Sequence, residues 1–145
     1  MAKFHQGIYT VENVAKYVGK HDPRYRSGWE LMFFKYLDNN PAIIQWASEP
    51  ITIPYRNPFT GKNTIYVPDI LMVYQHKTGQ RIAEVVEIKP STQTNLTEAR
   101  SIRDKASVAL NHAKWQAANH WCQKNGMKFR VITENDLFWN GKKRT

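Results

Sequence analysis

Trp29, Met32, Phe33, Tyr36 and Leu37 fall at i, i+3, i+4, i+7 and i+8, the spacing that puts side chains on one face of an α-helix. Ser27 stands at the N-cap position with Glu30 three residues on, as in a capping box, and Asn39-Asn40-Pro41 closes the helix. Glu30 lies at the edge of the stripe, where core meets solvent. The pattern then changes period. Ala42–Trp46, Ile51–Tyr55, Thr64–Tyr74 and Arg81–Lys89 are rich in β-branched and aromatic residues and read as strands, parted by turns at 57–63 and 76–80. Pro50 and Pro54 confine the second run to an edge or irregular position, and Pro68 requires a break, bulge or edge inside the third. Arg81–Lys89 is the most apolar run, which predicts the central strand, and Pro90 stops it.

A long helix is predicted from Glu98 to Gln123, capped by Thr94 or Thr97. It turns Ile102, Ala106, Ala109, Leu110, Ala113 and Ala117 to a sheet and carries Gln116 and His120 on the same stripe. Asn125-Gly126 ends it. Met127–Ile132 is a final strand, and Thr133-Glu134-Asn135-Asp136 caps a short helix through Phe138. Before the first helix, Val11–Tyr17 predicts a short helix behind Thr10. The order (helix, hairpin strands, long helix, strand) predicts an α/β fold with an antiparallel part and one strand added beside it. A length of 145 residues suits one domain. The expected division is a basic N-terminal arm over 1–26, a domain over 27–140 and a basic tail over 141–145.

Charge points to the partner. Twenty-one Lys and Arg against twelve Asp and Glu give a net charge of +9, the footprint of a polyanion binder. Lys3, Lys16, Lys20, Arg24, Arg26 and Ser27 at the front of the chain are candidate phosphate contacts. Arg100, Arg103, Lys105 and Lys114 on the long helix either follow a DNA backbone or form its solvated face. Nucleic acid is the simplest polyanionic partner. The absence of an apolar run of about 18 residues predicts no membrane span, and residues 1–6 lack the apolar core of a signal peptide. One cysteine, Cys122, excludes an internal disulfide and reads as a partly buried apolar residue. His112 and His120 have no second ligand pair near them in sequence, which argues against zinc.

The candidate chemistry lies between Tyr66 and Pro90. Side chains two apart on a strand share a face, so Glu87 and Lys89 point together while Glu84 points away. A hairpin that brings Asp69 level with Glu87 gathers two carboxylates and an ammonium. Magnesium, with manganese as substitute, is held by such carboxylates and supports phosphodiester hydrolysis. Glu30 from the first helix completes the acidic set, and the Ile88 carbonyl is a candidate oxygen ligand. Lys89 orients the attacking water or stabilises the developing charge.

The pattern Pro68-Asp69…Glu87-x-Lys89 resembles the PD-(D/E)xK nuclease superfamily. That resemblance implies a restriction-endonuclease-like mixed sheet flanked by helices, a metal-dependent DNA endonuclease, an acidic ligand at Glu30 and a polar residue of the following helix at Gln116. Gly7-x-Tyr9, Asn13-x-x-Lys16-Tyr17-x-Gly19 and Tyr25-Arg26-Ser27-x-Trp29-Glu30 are similar to head completion nucleases of contractile-tailed bacteriophages. So are Trp46-x-Ser48-Glu49, Ile53-Pro54-Tyr55 and Tyr66-x-Pro68-Asp69. This implies action on DNA ends at the phage head, portal or neck proteins as partners, and location in the virion, with the host cytoplasm as the place of assembly. Two alternatives stay open on the residues: a structural DNA-end or portal-binding protein with little turnover, and a transposase-type nuclease subunit.

Overall fold

The computed structural model describes residues 6–137. Lys3, the expected helix end at Phe138 and the basic tail lie outside the described residues. In chain order the elements are β1 (Gly7–Ile8), β2 (Arg24–Tyr25), α1 (Gly28–Asn39), β3 (Ile43–Ser48), β4 (Ile53–Arg56), β5 (Asn63–Tyr66), β6 (Ile70–Gln75), β7 (Arg81–Ile88), α2 (Ile102–Lys124), β8 (Lys128–Ile132) and α3 (Glu134–Leu137).

The central sheet has the order β3-β6-β7-β8. β7 pairs antiparallel with β6 and parallel with β8. A parallel neighbour needs a long crossover, and α2 supplies it. Residues Glu84 to Ile88 are buried without interruption, as expected of a strand covered on both faces. The predicted central strand and the added last strand are therefore both observed. α1 covers one face, where Phe33, Phe34 and Leu37 pack with Trp46, Ile70, Met72, Val86, Ile88 and Ile132. On the other side α2 lies over the β4–β5 hairpin, with Ala118 against Ile53 and Tyr66. That hairpin is a separate two-stranded sheet, so the run beginning at Ile51 becomes a strand only from Ile53 and never joins the central sheet.

Several expectations shift by a fraction of a turn. The buried residues of α1 are Glu30, Phe33, Phe34, Leu37 and Asp38, while Met32 and Tyr36 are exposed. The cause is a second layer over this face. Residues 7–17 cross it, and Tyr9 packs on Phe34 and Trp46 with ring centroids 6.1 and 6.3 Å apart. Tyr17 meets Trp46 edge-on at 4.8 Å, and a Cβ on Gly19 would collide with the Tyr17 ring. The helix expected at Val11–Tyr17 is only a 3-10 turn, Val14–Lys16, because the preceding N–H groups serve another partner. α2 starts at Ile102, with Ser101 rather than Thr94 or Thr97 as its N-cap. Its buried side chains are Val108, Asn111, Ala118 and Cys122, while Ile102, Ala106 and Ala109 are exposed. With few large apolar residues, this helix offers several stripes of similar merit, and the hairpin that it covers selects one. Burial raises the Cys122 thiol to about 11, in keeping with an inert core residue.

That other partner is Asp38, fully buried. Its carboxylate accepts the Tyr9 hydroxyl at 2.7 Å, the Glu12 N–H at 2.8 Å and the Asn13 N–H at 3.0 Å. Lys16 Nζ donates to the carbonyls of Asp38 and Asn40 at 3.0 and 2.8 Å, closing the C-terminus of α1. Burial alone would raise the Asp38 pKa. The hydrogen bonds outweigh it and hold the group below the ordinary carboxylate range. Its stabilising contribution is thus present above the unfolded-state pKa and is lost as pH falls through the lower folded value. Asp38→Ala, which orphans these donors, is expected to cost about 3 kcal/mol in urea unfolding, and Tyr9→Phe about 1 kcal/mol. Equal, negligible losses would show that the N-terminal layer is not held this way.

Candidate active site

The site forms where the chain passes from one sheet to another. β5 belongs to the hairpin and β6 to the central sheet, and Val67-Pro68-Asp69 is the crossing. Pro68 is buried and has no N–H to leave unpaired there. Ile70 lies opposite Val86, so one further step of the antiparallel register sets Asp69 opposite Glu87. The Asp69 N–H donates to Glu87 Oε1 at 3.2 Å, and Asp69 Oδ2 accepts the Ile88 N–H at 2.8 Å. The Asp69 carbonyl accepts the Glu49 N–H at 2.8 Å. Backbone and side chain are both fixed.

Glu87 is 5% exposed. Its Oε1 also accepts the Tyr66 hydroxyl at 2.8 Å, and its Oε2 stands 3.8 Å from Lys89 Nζ. These groups line a cleft of about 350 Å³, joined by Arg26, Glu49 and Lys114. Arg26 Nε pairs with Glu49 Oε2 at 2.8 Å. Glu49 has a φ of 49°, the left-handed region that a non-glycine residue enters at a cost. That turn aims its carboxylate at Arg26 on the cleft rim.

Burial and like charge act together on the acids. Desolvation, then the charges of Glu87 and Glu30, raise Asp69 well above the usual carboxylate range. Glu87 is raised by desolvation, against which Lys89, Tyr66 and the Asp69 N–H work. Glu30 is likewise raised by burial, and the charges of Glu49 and Glu87 add to it while the Arg26 N–H opposes it. On the cationic side, desolvation and then Lys89 lower Lys114.

The sequence candidates separate. Asp69, Glu87 and Lys89 converge. Glu30, buried in the first turn of α1, couples electrically to the pair, but its Oε1 is held by the Arg26 N–H at 2.9 Å. Among the described residues no three His, Cys, Asp or Glu groups stand at metal-ligating spacing. Ile88 contributes its N–H to Asp69 and turns its side chain into the core on the α1 side. Gln116 is exposed on α2, apart from the cleft lining. Glu84 is on the opposite face, as strand alternation requires, with Arg130 at 3.5 Å. Of the candidate phosphate contacts, Arg26 lines the cleft, Arg24, Arg100 and Arg103 are exposed, Ser27 caps α1, and Lys16 is committed to helix carbonyls.

Two cleft residues have no role in the sequence argument, and a third enters it only as a candidate backbone contact or part of a solvated face. Tyr66 and Glu49 sit inside quoted motifs, Tyr66-x-Pro68-Asp69 and Trp46-x-Ser48-Glu49, and adjacency to Asp69 was the available signal for Tyr66. Lys114 is the third. Its spacing from Asn111 and Ala118, both on the buried face of α2, marks it as different from Arg100, Arg103 and Lys105.

The raised carboxylates carry a stability signature. A folded pKa above the unfolded one means that stability falls as pH rises from the unfolded value through the folded one. Asp69→Asn keeps an oxygen for the Ile88 N–H and removes the desolvated charge. In EDTA at pH 8 it is expected to raise Tm by roughly 3 °C, about 1 kcal/mol, with the gain vanishing near pH 4. A lower Tm at pH 8 would contradict the repulsion.

The sequence profile of the TnsA-like endonuclease N-terminal family matches residues 40–134, from the end of α1 to the start of α3. The chain is also 38% identical, over 146 aligned residues covering 92% of it and 93% of the relative, to the head completion nuclease of Enterobacteria phage T4. The matched span contains β3 to β8 with the Asp69–Glu87–Lys89 cluster, and the chain belongs to the TnsA-like endonuclease family, nucleases of the PD-(D/E)xK type with a restriction-endonuclease-like fold.

Proposed function

We propose that the chain is a divalent-metal-dependent DNA endonuclease, hydrolysing phosphodiester bonds at the Asp69–Glu87–Lys89 cleft. The observation that carries this is two desolvated, mutually repelling carboxylates, Glu87 buried and Asp69 half-buried, joined through the Asp69 N–H, with an ammonium 3.8 Å from Glu87. The donor set is all oxygen, which suits magnesium or manganese, and a cation between the acids offsets their desolvation and repulsion. Asp69 and Glu87 would hold it, and Glu30 would add a third oxygen only on leaving the Arg26 N–H. When bound, the metal supplies positive charge at the phosphate and makes a water more acidic. The chain's own groups do the rest. Tyr66 and the Asp69 N–H fix the Glu87 carboxylate. Lys89 orients the attacking water and stabilises negative charge as it develops. Arg26, on the rim, meets the DNA backbone.

The relationship to the T4 head completion nuclease supports a narrower reading. The chain acts on double-stranded DNA ends at the head of a contractile-tailed phage, beside portal or neck proteins. It is made in the host cytoplasm and retained in the virion. Detection of the chain in purified virions checks this part.

Supercoiled plasmid tests the chemistry. Nicking or linearisation is expected with Mg²⁺ or Mn²⁺ and not in EDTA. Asp69→Ala and Lys89→Ala each lower the rate by at least about a hundredfold, while Glu84→Gln stays near the parent. Cutting in EDTA, or cutting indifferent to both alanine variants, would sink the proposal. Saturating Mg²⁺ is also expected to raise Tm by mass action in the parent and not in Asp69→Ala. The rise shrinks as pH falls and the carboxylates take up protons.

A further inference from the structure

We propose that Lys114 is a second catalytic cation, binding a non-bridging oxygen of the scissile phosphate from the α2 side of the cleft. This rests on the nuclease reading above and extends it to a residue on a different element.

The position is unusual for a lysine. Asn111 and Ala118, three residues before and four after, are buried, Asn111 donating to the Gln93 carbonyl and Ala118 packed on the β4–β5 hairpin. A lysine so placed ordinarily runs its stem along the apolar surface and releases the ammonium to bulk water. Here Nζ ends 5.6 Å from the centroid of the Tyr66 ring, and the residue lines the cleft with Asp69, Glu87 and Lys89. Tyr66 is 4% exposed, and its hydroxyl is bonded to Glu87. One rigid aromatic residue thus orients a metal-type carboxylate with its edge and an ammonium with its face.

Lys114 also lacks the counterpart that its neighbours have. Arg26 has Glu49 and Lys89 has Glu87, whereas among the described residues no carboxylate stands within ion-pair distance of Lys114 Nζ. The charges of Glu87 and Asp69 reach it only at longer range, and a half-buried ammonium with no anion in contact is costly unless a ligand completes it. The charge balance names that ligand. With a divalent ion present, the three acids Glu30, Asp69 and Glu87 and the single cation Lys89 leave the centre neutral. Lys114 makes it net positive by one charge. A phosphodiester carries one negative charge, and hydrolysis concentrates more on its non-bridging oxygens. An ammonium fixed on the wall opposite β7 therefore favours the transition state over the ground state. No bond to Lys114 forms or breaks. The ammonium keeps its protons throughout and donates hydrogen bonds.

The test uses the full chain with Lys114→Met, which preserves stem volume, and Lys114→Arg, which preserves charge. With Mg²⁺ and saturating plasmid, Lys114→Met is expected to lower kcat about a hundredfold, and Lys114→Arg to recover a tenth or more of the parent rate. The Mg²⁺ concentration that half-raises Tm should stay the same or fall in Lys114→Met, since a cation near the acids has been removed. A merely structural lysine would weaken metal binding and Tm together with kcat, or leave kcat within threefold of the parent, and either result overturns the proposal. If the parent itself fails to cut with Mg²⁺ and Mn²⁺, the nuclease reading fails separately. Lys114 is then judged by DNA binding in EDTA. A salt-dependence slope lower by about one in Lys114→Met supports the phosphate contact, and an unchanged slope refutes it.

Discussion

Glu87 accepts two hydrogen bonds on one oxygen, from the Tyr66 hydroxyl at 2.8 Å and from the Asp69 N–H at 3.2 Å. Those two donors stand on either side of Pro68, where the chain leaves the β4–β5 hairpin for the central sheet. The carboxylate is thus the hinge pin between the two sheets as well as a functional group. Its burial is possible because β7 lies between β6 and β8 with helices on both faces. A carboxylate so placed is costly to ionise, and its charge in turn raises Asp69 across the ladder. The fold tolerates this because Lys89, Tyr66 and backbone N–H groups partly compensate. On the proposed metal-dependent reading, a cation would offset the remainder.

The N-terminal layer controls the other end of the site. Asp38 ties residues 9–13 to the last turn of α1, and Lys16 closes that turn. At the first turn, Ser27 caps the helix while Glu30 reaches the Arg26 N–H, one residue beyond the capping-box partner. The same helix is therefore pinned at both ends by side chains that are buried and polar. Glu30 is held in reserve near the acids, and Arg26 is brought to the rim where Glu49 waits in its left-handed turn. Residues 7–26 are folded structure, and Lys16 and Arg26 already commit charge within it.

What the sequence made legible follows from what is local. Strand alternation placed Glu87 with Lys89 and Glu84 against them, and the hairpin register put Asp69 opposite Glu87. Both hold because a β-strand has a period of two, and an error of one residue would reverse the face. Helix faces were less legible. On α1, nothing local marks Asp38 as buried, because the groups that donate to its carboxylate lie 25 to 29 residues upstream. On α2, alanines at several spacings competed, and only the hairpin, itself outside the main sheet, chose among them. Gln116 and Lys114 exchanged places for that reason. They are two residues apart, and about 200° of helix rotation separates them. Rotating the stripe from Ala106 and Ala113 to Val108, Asn111 and Ala118 carries Lys114 into the cleft and Gln116 out to solvent.

The distribution of charge then has a single logic. At long range the chain is basic, with net +9, and draws a polyanion toward it. At short range the first groups that a phosphate meets on the rim include Arg26, already shared with Glu49. Deeper in, the acids Asp69 and Glu87 would repel it. A phosphodiester advances past that barrier only when positive charge at the bottom exceeds negative. The lysines alone roughly cancel Asp69 and Glu87, and Glu30 tips the balance negative. A divalent ion reverses the sign. On the proposed metal-dependent reading, the arrangement would couple cleavage to metal loading without a moving part: the basic field would gather DNA, and the scissile bond would stay outside until the acids are neutralised.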